Sequence, residues 1–316
     1  MKAIVTGAAG FIGSHLSEHL VNAGHTVTGI DVFTDYYPRE RKEHNLARLR
    51  ASKGFTLVET ALADADWPRL LDEVTWVFHL AAQAGVRKSW GRDFHVYTVN
   101  NVEGTQILLE ACKGRPIERL VYASSSSIYG DDVPLPMVED ARPQPVSPYG
   151  VTKLSAEQLC HLYFVNYRVP TASMRYFTVY GPRQRPDMGF HRFFLAAMRN
   201  EPITVFGDGR QTRDFTFVSD AVEANVRAWK RAAPQGVYNV GGGSQVTVLE
   251  AIALLESALS RKARVSLEPR PAGDPLRTRA DATRLATDLG YATKVGIADG
   301  LAAQADWART LYGGVR

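Results

Sequence analysis

Short, wholly apolar runs alternate with helical patterns through the first half of the chain. Residues 2–6, 26–30, 55–58, 74–80 and 120–123 form β-rich runs without a polar face, and helical patterns lie between them. A strand that is apolar on both sides must be covered on both sides, so these runs predict a buried parallel sheet. The strand–helix alternation then predicts a doubly wound α/β sheet with right-handed crossovers. The first helical pattern, residues 11–23, stops at Gly24. Residues 37–52 are charged and predict a surface helix after the second strand. Residues 131–148, rich in Pro and acids, read as a loop, and Ser147-Pro148 opens a long helix over 149–167. Beyond residue 178 the rhythm changes, and a Pro/Gly/Arg-rich stretch fills 268–279. The expected organisation is a large parallel-sheet domain over 1–178, with 215–240 returning to it. Residues 179–214 and 241–316 are expected to build a smaller mixed α/β domain that closes over the first.

Composition changes this picture little. Apolar residues make up 45% of the 316, enough for a real core, and the formal net charge is only +4. Arg supplies 28 of the 37 basic residues, and its planar fork suits carboxylates and phosphates. No Lys/Arg block resembles a nucleic-acid tail, so no nucleic-acid partner is expected. Cys112 and Cys160 lack metal-ligand spacing and form no disulfide framework; both read as packed thiols, and no metal is expected. The chain begins on a strand without a charged-then-apolar leader, and no apolar run approaches the ~18 residues of a membrane span. The expectation is a cytoplasmic protein without a membrane partner.

The chemistry starts at Gly7-Ala8-Ala9-Gly10-Phe11-Ile12-Gly13, between the first strand and the first helix. Glycines permit the tight turn and let a pyrophosphate approach backbone N–H groups at the helix start. A lone glycine triplet says little; the strand before it and the helix after it supply the context of a dinucleotide site. Asp31 ends the second strand, where a carboxylate accepts from the adenosine ribose hydroxyls and repels a 2′-phosphate. That favours NAD over NADP.

A second constellation lies on the long helix. Tyr149 and Lys153 are four residues apart, on one face. An ammonium beside a phenol favours the phenolate, so a tyrosine with a pKa normally near ~10 becomes a candidate base. Ser124 to Ser127 end an apolar strand, where ligands meet an open α/β sheet, and a hydroxyl there can share the substrate proton.

Together these residues resemble the extended short-chain dehydrogenase/reductase family, the NAD-dependent sugar-nucleotide epimerases and dehydratases with a Rossmann domain. The resemblance covers nearly the whole chain. It rests on the Thr6–Leu16 turn, on His79-Leu80-Ala81-Ala82, Asn101-Val-Glu-Gly-Thr105 and Tyr122 to Gly130, and on Ser147 to Lys153 and Arg213-Asp214-Phe215. It implies Tyr149 as the base, Lys153 as its modulator and anchor of the nicotinamide ribose, and Ser125 as the catalytic hydroxyl. It places Leu80, Ala81, Ala82 and Asn101 at the cofactor. Arg213 would hold a UDP-sugar diphosphate, together with Arg270 or Arg277; the motif's Asp274 also falls at the substrate. Two departures stand out. Ala61 stands where the family often has Asp near the adenine, and Arg270-Pro271-Ala272-Gly273-Asp274 is one residue longer than the usual motif, which leaves Arg270 and Arg277 as alternatives. The resemblance also implies a homodimer paired through the helices over 96–113 and 149–167.

Within the family, Ser126 and Ser127 occupy the two positions after the catalytic serine, where dehydratases carry an acid pair and uronate decarboxylases a glutamate at the second. Serines cannot do acid–base work near neutral pH, so the implied chemistry is redox alone: an alcohol is oxidised and then reduced from the opposite face. Gln83 to Arg87, the 34–49 insert and Phe177 to Pro182 followed by Arg185-Pro186-Asp187-Met188 are similar to UDP-glucuronate 4-epimerases. Arg87, Arg185, Ser126, Ser127 and Thr178 are the candidate substrate contacts. The alternatives kept are a UDP-glucose/galactose-type epimerase, a UDP-glucuronate decarboxylase and, remotely, a non-catalytic NAD-sensing regulator.

Overall fold

A computed structural model of the chain describes residues 1–273 and 275–313. Its strands are β1 (Lys2–Thr6), β2 (Thr26–Asp31), β3 (Phe55–Glu59), β4 (Trp76–His79), β5 (Arg119–Ser125), β6 (Thr171–Tyr176), β7 (Thr178–Tyr180), β8 (Ile203–Phe206), β9 (Thr212–Phe217), β10 (Gly236–Val240), β11 (Ser244–Thr247) and β12 (Val265–Glu268). Seven of them form one sheet in the order β10-β6-β5-β4-β1-β2-β3. Every pairing in it is parallel. The strand order reverses between β1 and β4, whose ends meet at the Thr6↔His79 pair. That reversal opens a crevice at the carboxyl ends of the strands, and a ligand site belongs there.

The all-apolar strands explain the layering. Along β1, Ala3 and Val5 enter one core while Ile4 enters the other, as a two-residue period requires. The first core is roofed by the helices Phe11–Asn22, Arg39–Arg50 and Val218–Arg231; the second by Gly104–Cys112 and Pro148–Tyr167. Helix Val218–Arg231 leads into β10, which completes the sheet beside β6. Leu285, Leu289 and Tyr291 also pack in the first core, although they lie late in the chain.

The smaller layer holds the mixed sheet β11-β9-β7 and the parallel pair β12-β8. Helices Gly189–Met198, Val248–Leu259 and Ile297–Tyr312 cover a third core around Tyr180, Phe190 and Phe215. Two expectations need refinement. The helix expected over 96–113 is an α-turn Phe94–Tyr97, a π-helical turn Thr98–Glu103 and an α-helix Gly104–Cys112. The helix expected at the surface, Arg39–Arg50, buries Lys42, Asn45, Leu46 and Leu49 along one side.

Candidate active site

The glycine turn is held by its neighbours. Gly7 has a φ of +71°, and its N–H donates to the Ile30 carbonyl at 2.7 Å. A Cβ at Gly7 would lie 2.8 Å from the Ala81 nitrogen, and one at Gly13 would collide with the Gly7 carbonyl. Gly10 caps the helix Phe11–Asn22 without a side-chain hydrogen bond. The first N–H groups of a helix have no internal acceptor, and Phe11, Ile12 and Gly13 bring theirs to the wall of a groove. Leu80, Ala81, Ala82 and Ala61 line the same groove.

Asp31 closes the far end of that groove, buried and held by three donors. Its Oδ2 accepts from the Ala9 N–H at 3.1 Å; its Oδ1 accepts from the Phe33 N–H and from Lys42 Nζ, each at 2.9 Å. A carboxylate has about four acceptor positions, so roughly one remains for a ribose hydroxyl. The sequence reading missed Lys42, because a lysine in a charged helix reads as solvated. The close turns, the helix start and the remaining Asp31 position together fit a dinucleotide.

Asn101 stands behind the groove wall instead of in it. Its Oδ1 accepts from the Gln83 N–H at 2.7 Å, and its Nδ2 donates to the Gln83 carbonyl and to Thr152 Oγ1 at 3.0 Å. The π-helical turn aims it there, as such turns do at functional sites. His79 is likewise structural. Its ring bridges Thr6 Oγ1 at 2.8 Å and Thr105 Oγ1 at 2.9 Å, and complete burial pushes its pKa down to about 3, which keeps it neutral.

Ser125, Tyr149 and Lys153 converge at the end of β5. Ser147 caps the helix Pro148–Tyr167 by accepting from the Gly150 N–H at 3.1 Å. A Cβ at Gly150 would collide with the Ser127 carbonyl, so glycine lets the helix start press against the serine turn. Ser125 lies by the Tyr149 phenol and lowers its pKa, and the Tyr97 ring meets the Tyr149 ring edge-on, 6.2 Å between centroids. Beneath them Ser124 donates to Glu157 at 2.6 Å, and Glu157 holds Arg175 through two hydrogen bonds in a buried pair.

Burial dominates the electrostatics of the pair. Burial raises the Tyr149 phenol; the Arg185 charge and the neighbouring Ser125 pull it back down, and Asp187 pushes it up. Lys153 is fully buried with its ammonium 4.5 Å from the Tyr122 ring centroid, and burial pushes it down to about 7. Burial thus acts in opposite senses on the two groups, raising the phenol and lowering the ammonium.

A second cavity of about 870 Å³ opens on the other side of Tyr149. Ser125, Ser126, Ser127 and Thr178 line it, together with Arg87, Arg185 and Arg213. Arg192 does so too, although the sequence reading did not select it; its apolar neighbours in the helix pattern hid it. The Arg87 guanidinium stacks 4.0 Å from the Phe206 ring centroid. Arg213 Nη1 donates to the Thr212 carbonyl at 3.0 Å. Arg185 has its fork on Asp187, with two bonds of 3.0 Å, and Asp187 also accepts from the Tyr36 hydroxyl at 3.2 Å. Arg270 and Arg277 are exposed and are not among the residues lining the cavity; Arg277 is bridged through its backbone to Thr212, beside Arg213. Asp274 lies outside the described residues. Among the described residues no group of three or more His, Cys, Asp or Glu is placed to hold a metal, and no helix is long and apolar enough to cross a membrane.

The family model for the NAD dependent epimerase/dehydratase family matches residues 3–241. A Bacillus subtilis protein named as an uncharacterized UDP-glucose epimerase, YtcB, is 43% identical over 99% of this chain and 100% of its own length. UDP-glucuronate 4-epimerase of Thermodesulfobacterium geofontis is 35% identical over 97% of this chain and 95% of its own. Among solved structures, UDP-glucuronic acid 4-epimerase from Bacillus cereus, in complex with UDP-glucuronic acid and NAD, superposes with a TM-score of 0.96. It is 43% identical and covers 99% of this chain and 100% of its own.

Proposed function

The chain belongs to the NAD-dependent epimerase/dehydratase family, and on that premise we propose that it inverts carbon 4 of UDP-glucuronate to give UDP-galacturonate without decarboxylation. One observation carries the reading. Ser125, Tyr149 and Lys153 meet at the end of β5, serines rather than acids follow at 126 and 127, and the site opens on a cavity that arginines and hydroxyls line. Relatives named for this activity and a solved neighbour holding both UDP-glucuronic acid and NAD support it.

NAD, when bound, supplies the acceptor that takes the carbon-4 hydride and gives it back, and brings the positive charge of its nicotinamide. Gly7, Gly10, Phe11, Ile12 and Gly13 would hold its pyrophosphate and Asp31 its adenosine ribose. Leu80, Ala81 and Ala82 form the wall that Asn101 braces from behind, and Lys153 and Tyr149 would hold its nicotinamide ribose. Tyr149 removes the carbon-4 hydroxyl proton, and Ser125 shares it. Arg87, Arg192 and Arg213 hold the diphosphate, with Arg277 near the rim. The 4-keto sugar then turns about that tether, for which the cavity has room, and presents its other face.

Ser126, Ser127, Thr178 and Arg185 are assigned to the carboxylate. A 4-keto uronate is a β-keto acid, and it loses carbon dioxide when the carboxylate bond aligns with the carbonyl π system. Converging hydrogen bonds that fix the carboxylate out of that alignment separate epimerisation from decarboxylation. A second reading, a neutral-hexose epimerase, is favoured by one observation: Asp187 already occupies the Arg185 fork. Incubation with UDP-glucuronate and no added cofactor decides between them. UDP-galacturonate is expected; UDP-pentose with carbon dioxide would make the protein a decarboxylase, and turnover of UDP-glucose alone would support the second reading.

Three further assignments belong to this reading. Residues 1–178 with 215–240 serve the cofactor, and 179–214 with 241–316 serve the UDP-sugar. The protein acts in the cytoplasm. It works as a homodimer paired through the helices Gly104–Cys112 and Pro148–Tyr167, the second of which exposes Val151, Leu162 and Val165.

A further inference from the structure

The turn after β7 is held from two sides. On one side stands the helix Phe11–Asn22, whose start faces the cofactor groove and whose Phe11, Ser14, His15 and Glu18 share a face. Arg183 Nη2 donates to Glu18 at 2.8 Å, and Arg183 Nη1 donates to Ser14 Oγ at 3.4 Å. His15 Nε2 donates to the Pro182 carbonyl at 3.0 Å, and the His15 ring packs edge-on against Phe11, which lines both cavities. On the other side, Gln184 Oε1 accepts from the His191 N–H at 2.9 Å and from Gln304 Nε2 at 3.0 Å. Gln304 Oε1 accepts from the Gly181 N–H at 3.0 Å. These partners belong to the helices Gly189–Met198 and Ile297–Tyr312 of the smaller layer. The turn therefore joins the two layers, and Arg185 follows Arg183 by two residues. Arg183 itself lines neither cavity.

We propose that Arg183, Glu18 and His15 are positioning residues: they pin the turn to the cofactor helix and so fix where Arg185 meets a uronate carboxylate, which decides between epimerisation and loss of carbon dioxide. The inference rests on the UDP-glucuronate reading and on Arg185 holding that carboxylate. Arg183 has a φ of +63°, in the left-handed region where an L side chain is strained. Its bond to Glu18 opposes that strain. The two side chains are only 13% and 18% exposed, so water screens the pair little, and removing either partner leaves a poorly solvated charge. A turn released from Glu18 keeps its grip on the smaller layer through Gln184 and loses part of its grip on the helix that seats the cofactor. Arg185 then shifts relative to a sugar held beside that cofactor. In the side reaction the bond between carbons 5 and 6 breaks and carbon dioxide leaves. The electron pair of that bond passes into the carbon-4 carbonyl as an enolate, and carbon 5 takes a proton from water. Hydride returned to carbon 4, with a proton on its oxygen, then gives UDP-pentose. A misplacement of about 1 Å changes a rate by up to ~100-fold, so a loosened turn is enough to shift the partition.

The test is how the full-length protein with NAD partitions UDP-glucuronate: carbon dioxide released per UDP-galacturonate formed. Arg183→Met and Glu18→Gln should each raise that ratio by about tenfold. Both break one contact, so the double variant should raise it no further than either alone. His15→Phe keeps a ring against Phe11 and loses only the Pro182 bond, and should raise the ratio less. Exchange of the charges, Glu18→Arg with Arg183→Glu, should recover part of the wild-type ratio. Glu18→Gln keeps the size of the side chain and decides the matter where Arg183→Met does not fold. A lowered kcat, a raised KM or a lowered unfolding temperature with an unmoved ratio means that the contact serves stability alone, and overturns the proposal. A wild type that turns over no UDP-uronate, or only decarboxylates it, defeats the functional reading and this proposal together; a wild type that epimerises, with variants at an unmoved ratio, defeats this proposal alone.

Discussion

Lys153 shows how one residue can cost stability and serve chemistry. Its folded pKa, about 7, lies below the 10.5 of an exposed lysine because the ammonium is stripped of water. The sign of the linkage follows. The folded state resists a proton that the unfolded chain accepts, so the penalty is absent above pH ~10.5. It grows as pH falls through the window between the two values and is constant below about 7. Lys153→Met should therefore raise the stability of the cofactor-free protein at pH 7 by on the order of 3 kcal/mol, with the gain shrinking toward zero near pH 10, while activity is lost. Urea unfolding at the two pH values measures it; a variant destabilised at pH 7 would contradict it. Asp31 presents the converse case. Its place at a strand end suggested a ribose ligand, but its buried pairing with Lys42 was not legible, because spacing along the chain does not say which face of a charged helix turns inward.

Elements were legible in proportion to how strongly the local sequence fixes them. The five apolar runs of the first half became β1 to β5 because a strand covered on both faces has no polar positions to blur its pattern. The π-helical turn at Thr98–Glu103 was hidden, since one inserted residue leaves an apolar periodicity nearly intact. The glycine turn was read correctly as a turn, yet its tightness depends on strand β4: Gly7 needs both a positive φ and the approach of Ala81. Gly13 has ordinary helical freedom and is required by contact alone. Gly13→Ala should displace the turn and weaken NAD binding at least about tenfold, equivalent to ~1.4 kcal/mol. Gly24→Ala, where φ is +83° but nothing lies within 4 Å, should cost stability while leaving NAD affinity intact. Calorimetric titration with NAD distinguishes the two; equal losses would show that the turn is not the pyrophosphate seat.

The whole molecule brings together what the sequence keeps apart. Tyr36 and Asp187 meet across 151 residues of sequence, and Arg192 lines one cavity with Arg87 and Arg213. No periodicity in one segment encodes such a meeting, so the substrate side was proposed through resemblance and the cofactor side through its own turn. The exposed apolar residues of the helix Pro148–Tyr167 carry a prediction at this scale. Leu162→Glu with Val165→Glu should convert a dimer into a monomer of 34.8 kDa in light scattering; an unchanged mass would place the interface elsewhere.

In the proposed reaction a hydride leaves carbon 4 and returns to it within one active site, with the carboxylate kept. UDP-glucuronate bearing deuterium at carbon 4, incubated with the purified protein and no added NAD, tests it most directly. The expected product is UDP-galacturonate that retains the deuterium at carbon 4, with no carbon dioxide released. Product without the label, or UDP-pentose in place of a uronate, would contradict it.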